Sequence, residues 1–189
     1  LSSTQSQAMS TKASTDALVL GSGPSALAIA AALCKEQLQV EVLAAKDPKE
    51  PWPYTYGIWG QEVDELGLSH LLEHRWSNTV SFFGAGDQEP THEANRATRH
   101  ERDYGLFNKV VLQEYWLKQC EKASVLWHKG LAKELEVSRT ISSVTTHEGE
   151  TLQARLVIDA TGYEPVFVKS KREGPIAVQN CYGVVGTFN

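Results

Sequence analysis

Gly21-Ser22-Gly23-Pro24-Ser25-Ala26 sets two glycines and a small residue at the spacing G-x-G-x-x-A. Glycines so placed permit a tight turn and let the backbone approach a pyrophosphate, whose charge is received by the free N–H groups and positive dipole end of a following helix. That is the chemistry of dinucleotide binding, and it requires a strand before the turn and a helix after it. Both are legible here. Residues 16–20, DALVL, are an apolar run ending at a glycine, as in a buried parallel strand. Pro24 opens a helix that continues to about Gln37, with Ala26, Leu27, Ile29, Ala30 and Leu33 on a face small enough to lie close against a sheet. QVEVL at 39–43 reads as the second strand. Residues 16–43 therefore form one βαβ unit.

One position departs from the pattern. Where such units place an acid on the ribose hydroxyls, this chain has Ala44 and Ala45, which leaves that contact to backbone or solvent. The G-x-G-P form is frequent in flavoproteins, whose FAD carries its ADP moiety at this turn. Asp159-Ala160-Thr161-Gly162, after an apolar strand, resembles the late motif of such proteins, where the chain re-approaches the cofactor. The two motifs lie far apart in sequence and would close on one ligand.

Two further groupings are chemically suggestive. WPYTYGIWGQEVDELGL, from 52 to 68, combines Trp52, Tyr54, Tyr56 and Trp59 with Gly57 and Gly60 and leads to Glu62. Such rings either pack on a sheet edge or line the channel of an apolar or cationic ligand, since aromatic faces stabilise positive charge. His70-Leu71-Leu72-Glu73-His74 matches H-x-x-E-H, a zinc-hydrolase spacing if the segment is helical. No third ligand is evident, and Leu66, Leu68, Leu71 and Leu72 explain the run as an amphipathic helix, so no metal is expected.

The elements that must position these residues follow along the chain. Lys46–Gly60, with three prolines, is a loop; Glu62–His74 carries Val63, Leu66 and Leu71 at helical spacing; NTVSFF at 78–83 reads as a strand. Residues 84–105 form a long polar connection, expected to be mobile. A helix over 108–122 has Val110, Val111, Leu112, Tyr115 and Leu117 as candidate buried positions. Strands at 124–128, 131–137, 140–146 and 151–158 suggest an antiparallel meander inserted before the chain rejoins the main sheet at RLVIDATG.

Composition narrows the class. A formal charge of −5 gives no general attraction to nucleic acid, and the basic cluster Arg96, Arg99, His100, Arg102 is broken by Glu101 and Asp103, as in a solvated loop. No apolar run approaches a membrane span. Cys34, Cys120 and Cys181 are odd in number and widely spaced, which argues against a disulfide framework. Residues 1–15 are rich in hydroxyl side chains and read either as a plastid transit-peptide remnant or as a plain disordered tail before a start at Met9. The chain opens on Leu1 and stops in an apolar run at 184–189, as an excerpt would, so 16–189 is taken as one nucleotide-binding domain incomplete at its C-terminal side.

The order and spacing of G-S-G-P-S-A-L-A, WPYTYGIWGQEVDELGL, HRW, DYGLFNKVVLQEYWL and RLVIDATG resemble the FAD-dependent lycopene cyclases of cyanobacteria and plastids. The family's Y-G-x-W-x-x-E element is matched by Tyr56, Gly57, Trp59 and Glu62, and its Y-G-x-x-N-R/K element by Tyr104, Gly105, Asn108 and Lys109. The resemblance implies an α/β, Rossmann-like, flavin hydroxylase-like fold with an inserted antiparallel meander. It implies FAD held in reduced form, with NAD(P)H as reductant, by Gly21, Ser22, Gly23, Pro24, Ser25, Ala26, Ala44, Lys109, Asp159, Ala160, Thr161 and Gly162. The implied reaction is a non-redox isomerisation. A terminal double bond of linear lycopene is protonated, a neighbouring double bond attacks the cation, and loss of a proton leaves a β or ε ring. Tyr56 and Trp59 would line the substrate. Glu62 is a candidate proton-handling carboxylate, although a helix start suits it equally for dipole stabilisation. Further catalytic acids are expected beyond Asn189. A lipophilic carotenoid partner, peripheral membrane association and a plastid (thylakoid or envelope) or cyanobacterial setting also follow from the resemblance. A carotenoid or isoprenoid reductase, a monooxygenase or a non-catalytic flavin-binding remnant would share the nucleotide motifs.

Overall fold

Residues 15–82, 97–163 and 165–168 are described by the computed structural model. The tail at 1–14, residues 83–96, which include most of the polar connection, and the terminal stretch that includes Cys181 lie outside them.

The chain begins with β1 (Thr15–Leu20), α1 (Pro24–Lys35) and β2 (Val40–Ala44). Five short pieces follow: β3 (Gly57–Trp59), α2 (Gly60–Glu65), a 3₁₀ turn (Ser69–Leu71), β4 (Leu72–Trp76) and β5 (Val80–Phe82). Then come β6 (Ala97–Arg99), β7 (Tyr104–Phe107), α3 (Lys109–Lys122), β8 (Leu126–Lys129), β9 (Ala132–Val137), β10 (Ser142–Thr146) and β11 (Thr151–Asp159).

Six strands form the main sheet in the order β8-β2-β1-β11-β10-β9. The first four run parallel, and β11, β10 and β9 are antiparallel neighbours. Strand alternation sends Ala17, Val19, Val40 and Val42 to one face, where they meet Ala26, Leu27, Ala30 and Ala31 of α1 and Leu112 and Cys120 of α3. Alanines at 26, 30 and 31 leave little side chain between helix and sheet. The other face carries Leu18, Leu20 and Leu43, which pack with Val144, Leu152 and Ala154 of the meander. Each buried Leu or Val of this kind contributes about 1.5–3 kcal/mol. β11 serves both layers: its first half pairs with β10 (Ala154 opposite Ser142), its second with β1 (Leu156 opposite Ala17, Asp159 opposite Leu20).

A polar contact also ties the layers together. The Thr15 hydroxyl donates to Glu41 Oε1 at 2.6 Å, Glu41 Oε2 pairs with His128 Nε2 at 2.7 Å, and His128 Nδ1 lies 3.5 Å from Glu150 at the β10–β11 turn.

Five expectations are corrected. Two expected connections carry strand: β3 lies at the end of 46–60, and β6 and the start of β7 lie within 84–105. The strand expected at 124–128 belongs to no meander: β8 lies parallel to β2 at the edge of the main sheet, and only β9, β10 and β11 form the antiparallel unit. The segment 62–74 is not one helix. α2 ends at Glu65, Gly67 takes φ +69°, and Leu72–Trp76 pair with β7, whose backbone groups would otherwise lack partners on that side. On α3, Val110 and Val111 are exposed and Leu112, Gln113 and Cys120 are buried, because the face turned to α1 begins one position later.

Candidate functional site

Leu20 and Asp159 end adjacent parallel strands, so the two glycine-bearing turns that follow them are neighbours. Gly21 N–H donates to Leu43 O at 2.8 Å and Ala160 N–H to Leu20 O at 3.0 Å. Gly21 has φ +115°, and a Cβ there would stand 2.6 Å from the Ala160 carbonyl oxygen. Only glycine allows this approach, which welds the first turn to the second. Gly23 is the contrary case. It caps α1 in an extended conformation, and nothing lies within 4 Å of where its Cβ would be. The glycine keeps that space clear.

α1 starts at Pro24 with no side-chain cap and no acid in its first turn, so its leading N–H groups face outward without an intrahelical acceptor. Ser25 is exposed and Ala26 fully buried against the sheet. An open cradle, uncapped N–H groups and a helix dipole fit a pyrophosphate. The second turn is braced from within. Asp159 Oδ1 accepts from the Thr161 hydroxyl at 2.6 Å and its N–H at 3.2 Å, and Oδ2 accepts from Phe167 N–H at 3.0 Å. Burial disfavours the Asp159 carboxylate, but the hydrogen bonds from Thr161, Phe167 and Val166 outweigh it and hold its pKa below the ordinary value. Gly162, at φ +104°, has open space at its Cβ position.

Ala44, at the same end of β2, is buried, and its carbonyl accepts from Gly130 N–H at 3.0 Å. The acid on this strand, Glu41, is consumed by Thr15 and His128 and does not replace the missing carboxylate. Lys109 is the first residue of α3, whose N-cap Asn108 accepts from Val110 and Val111 N–H at 3.2 Å.

The aromatic loop divides into two parts. Trp52 is buried and its indole N–H donates to Ser22 O, inside the first glycine turn, at 3.0 Å; Tyr56 meets its ring edge-on at 5.5 Å. Burial, with Tyr54 adding to it, raises the Tyr56 hydroxyl pKa above its usual value. Trp59 ends β3 of a second sheet, in the order β3-β7-β4, and Glu62 stands in the first turn of α2, which follows directly. There the Arg102 guanidinium lies 4.3 Å from the Trp59 ring centre and donates to Glu62 Oε1 at 3.1 Å, while Tyr104 packs edge-on to the same indole at 5.2 Å. The structure thus brings Gly21–Ala26, Ala160–Gly162 and Trp52 together, and it groups Trp59 and Glu62 with Arg102.

Comparison with known proteins decides the family. The family described as "Lycopene cyclase protein" matches residues 16–188. The chain belongs to the lycopene cyclase family. It is 46% identical to the lycopene beta cyclase of Synechococcus elongatus over 92% of its own length and 40% of that protein. It is 29% identical to the chloroplastic lycopene beta cyclase of Nicotiana tabacum over 90% of its length and 32% of that protein. The chain therefore spans well under half of these relatives. Among solved structures, halogenase PltM in complex with phloroglucinol and FAD shares the fold at a TM-score of 0.60 and 12% identity, over 80% of this chain and 35% of that one.

Within this lycopene cyclase family chain the zinc reading has no support. His70 sits in the 3₁₀ turn against Tyr115, and His74 stacks on Trp76 from β4, so the two are not one helical turn apart. Among the described residues no cluster of His, Cys, Asp or Glu could hold a metal. Sequence reasoning missed Arg102, which it treated as part of a solvated basic run. The missed signal was the pairing of that run with Trp59 and Glu62, some 40 positions away. It also left Trp52 undistinguished among four neighbouring rings.

Proposed function

We propose that this chain supplies the FAD-binding portion of a lycopene cyclase, an enzyme that closes a β or ε ring on linear lycopene without net oxidation. The observation that carries the reading is the joining of the two glycine turns at Gly21 and Ala160 beside a cleared cradle at Gly23, within a chain of this family. Bound FAD, kept reduced at the expense of NAD(P)H, would supply negative charge beside a developing carbocation.

The chain's own residues bind and orient. The N–H groups at the head of α1 receive the pyrophosphate, Gly21, Ser22 and Gly23 shape the turn, and the Asp159 brace fixes the approach of Ala160, Thr161 and Gly162. Pro24, Ser25 and Ala26 form the first turn, Ala44 lies at the ribose end, and Lys109 adds positive charge at the start of α3. Trp59 and Glu62 both engage Arg102, so Glu62 is assigned to holding that guanidinium, and proton delivery to acids elsewhere in the protein. The substrate is a lipophilic carotenoid. No helix among the described residues is long and apolar enough to cross a membrane, and contact with the bilayer is assigned to peripheral association, in a cyanobacterium or plastid.

The test is turnover by the complete protein in deuterated water, without oxygen, with FAD reduced chemically beforehand. Cyclic carotenes should accumulate over many cycles without further reductant and carry deuterium at the ring carbon that was protonated. Reductant consumed in step with product, or oxygen found in the product, would replace the cyclase by a reductase or monooxygenase.

A further inference from the structure

We propose that Trp52 is a positioning residue for the cofactor turn: by holding the Ser22 carbonyl, its indole N–H aims the Gly23 N–H into the pyrophosphate cradle. The inference rests on the FAD-binding reading above and names a residue outside the glycine motif.

Ser22 is flanked by two glycines, and Gly21 already stands at φ +115°. Peptide planes beside glycines rotate with little steric resistance, so a turn of this composition does not by itself fix which way its N–H groups point. The Ser22–Gly23 peptide is trans, and in a trans peptide the carbonyl and the N–H point to opposite sides of the chain. The 3.0 Å bond from Trp52 Nε1 to Ser22 O therefore sets the Gly23 N–H away from the indole. Among the described residues that N–H finds no intramolecular acceptor. The space beside Gly23 is open to 4 Å. A flipped peptide would turn a carbonyl oxygen toward the anion instead.

The indole is itself held. Trp52 is 7% exposed, Tyr56 closes on its ring, and Gln113 of α3 donates from Nε2 to the carbonyls of Pro48 at 2.7 Å and Glu50 at 2.8 Å. A frame thus runs from α3 through the loop to the indole and on to the turn. A buried indole N–H without an acceptor is disfavoured, so the same bond that satisfies Trp52 resists the flip. Donors fixed before the ligand arrives need no ordering on binding.

The experiment compares FAD dissociation constants of the complete apoprotein and its Trp52→Phe variant by flavin fluorescence titration, well below the unfolding midpoint of each, with the midpoints measured alongside. Affinity should fall about tenfold, the size of one hydrogen bond. A role confined to packing would lower the midpoint and leave the dissociation constant alone. Should Trp52→Phe fail to fold, Trp52 is replaced by 3-benzothienylalanine, which keeps the bicyclic shape and has sulphur in place of the N–H, under the same criterion. An unchanged constant in a folded variant overturns the proposal. Failure of the unmodified protein to bind FAD overturns the reading beneath it.

Discussion

The parallel layer and the small β3-β7-β4 sheet are stabilised by different physics. In the first, Leu18, Val19, Leu20, Leu27 and Val42 are all but inaccessible to water, and the glycine turn is welded by backbone contact. In the second, much of what joins the strands to α2 is charge at the surface. Arg75 donates to both carboxylate oxygens of Asp64 at 2.8 Å and to Asp103 at 3.0 Å, and Arg102 spans Trp59 and Glu62. Gly60 makes that clasp possible, since a Cβ there would stand 2.5 Å from Asp103 Cβ and 2.8 Å from Arg75 Nη2. Apolar contact enters through Val63, Leu68, Leu71 and Phe107, which join the helix-side core. A buried frame holds its shape regardless of solvent, whereas an ion-pair clasp answers to pH and salt. The glycine turn at Gly21–Gly23 sits on the former.

Three substitutions break or sharpen this contrast. The largest effect belongs to Gly21→Ala. It imposes φ +115° on an L residue and drives its Cβ onto the Ala160 carbonyl, so unfolding free energy by chemical denaturation should fall by at least about 2 kcal/mol and flavin retention should fall with it. Stability within error of the parent would mean that the two turns are not welded. Val63→Ala, at the point where the small sheet enters the core, should cost on the order of 2 kcal/mol, with flavin content of the folded protein unchanged. Loss of flavin in that variant would show that the two regions are coupled.

The smallest effect is that of Arg75→Met, and its pH dependence identifies it. Hydrogen bonds from Arg75, then from Ser69, bring the Asp64 pKa from 3.8 to about 2. A depressed carboxylate contributes stability that is fully present above its unfolded value and lost as pH falls through its folded value. Unfolding midpoints of parent and variant should therefore differ slightly at neutral pH and converge between about pH 4 and 2. A constant difference across that window would assign the effect to packing of the Arg75 stem.

What could be read from sequence was what is local. Gly21–Ala26 announced itself because turn, cap and helix lie within a few residues, and Asp159–Gly162 because a strand ends immediately before it. The partner of β8 was not legible. Four residues, Leu126–Lys129, suit a hairpin as well as a parallel edge, and only packing against β2 decides between them. The misread helix at 62–74 had the right periodicity as far as Leu66, yet Leu66 is exposed and Gly67 ends the run. Beyond that point, pairing of Leu72–Trp76 with β7, more than 25 positions away, overrides the pattern. Arg102 and Trp52 were missed for one reason: each acts through a contact with a residue distant in the chain, Glu62 for one and Ser22 for the other.

The double pairing of β11 also has a consequence for how the protein is made. Asp16 and Arg155, joined at 3.0 Å across β1 and β11, are 139 positions apart. Contacts so distant in sequence form late, after the entropy of closing the intervening loop has been overcome. On the ribosome, α1, β2 and β8 can assemble while β1 still has an open edge, and the glycine turn stays unfinished until residue 160 has emerged and been zipped alongside it. Completion of the glycine turn therefore follows synthesis of the meander, and a nascent chain that ends before β11 leaves one edge of β1 unpaired.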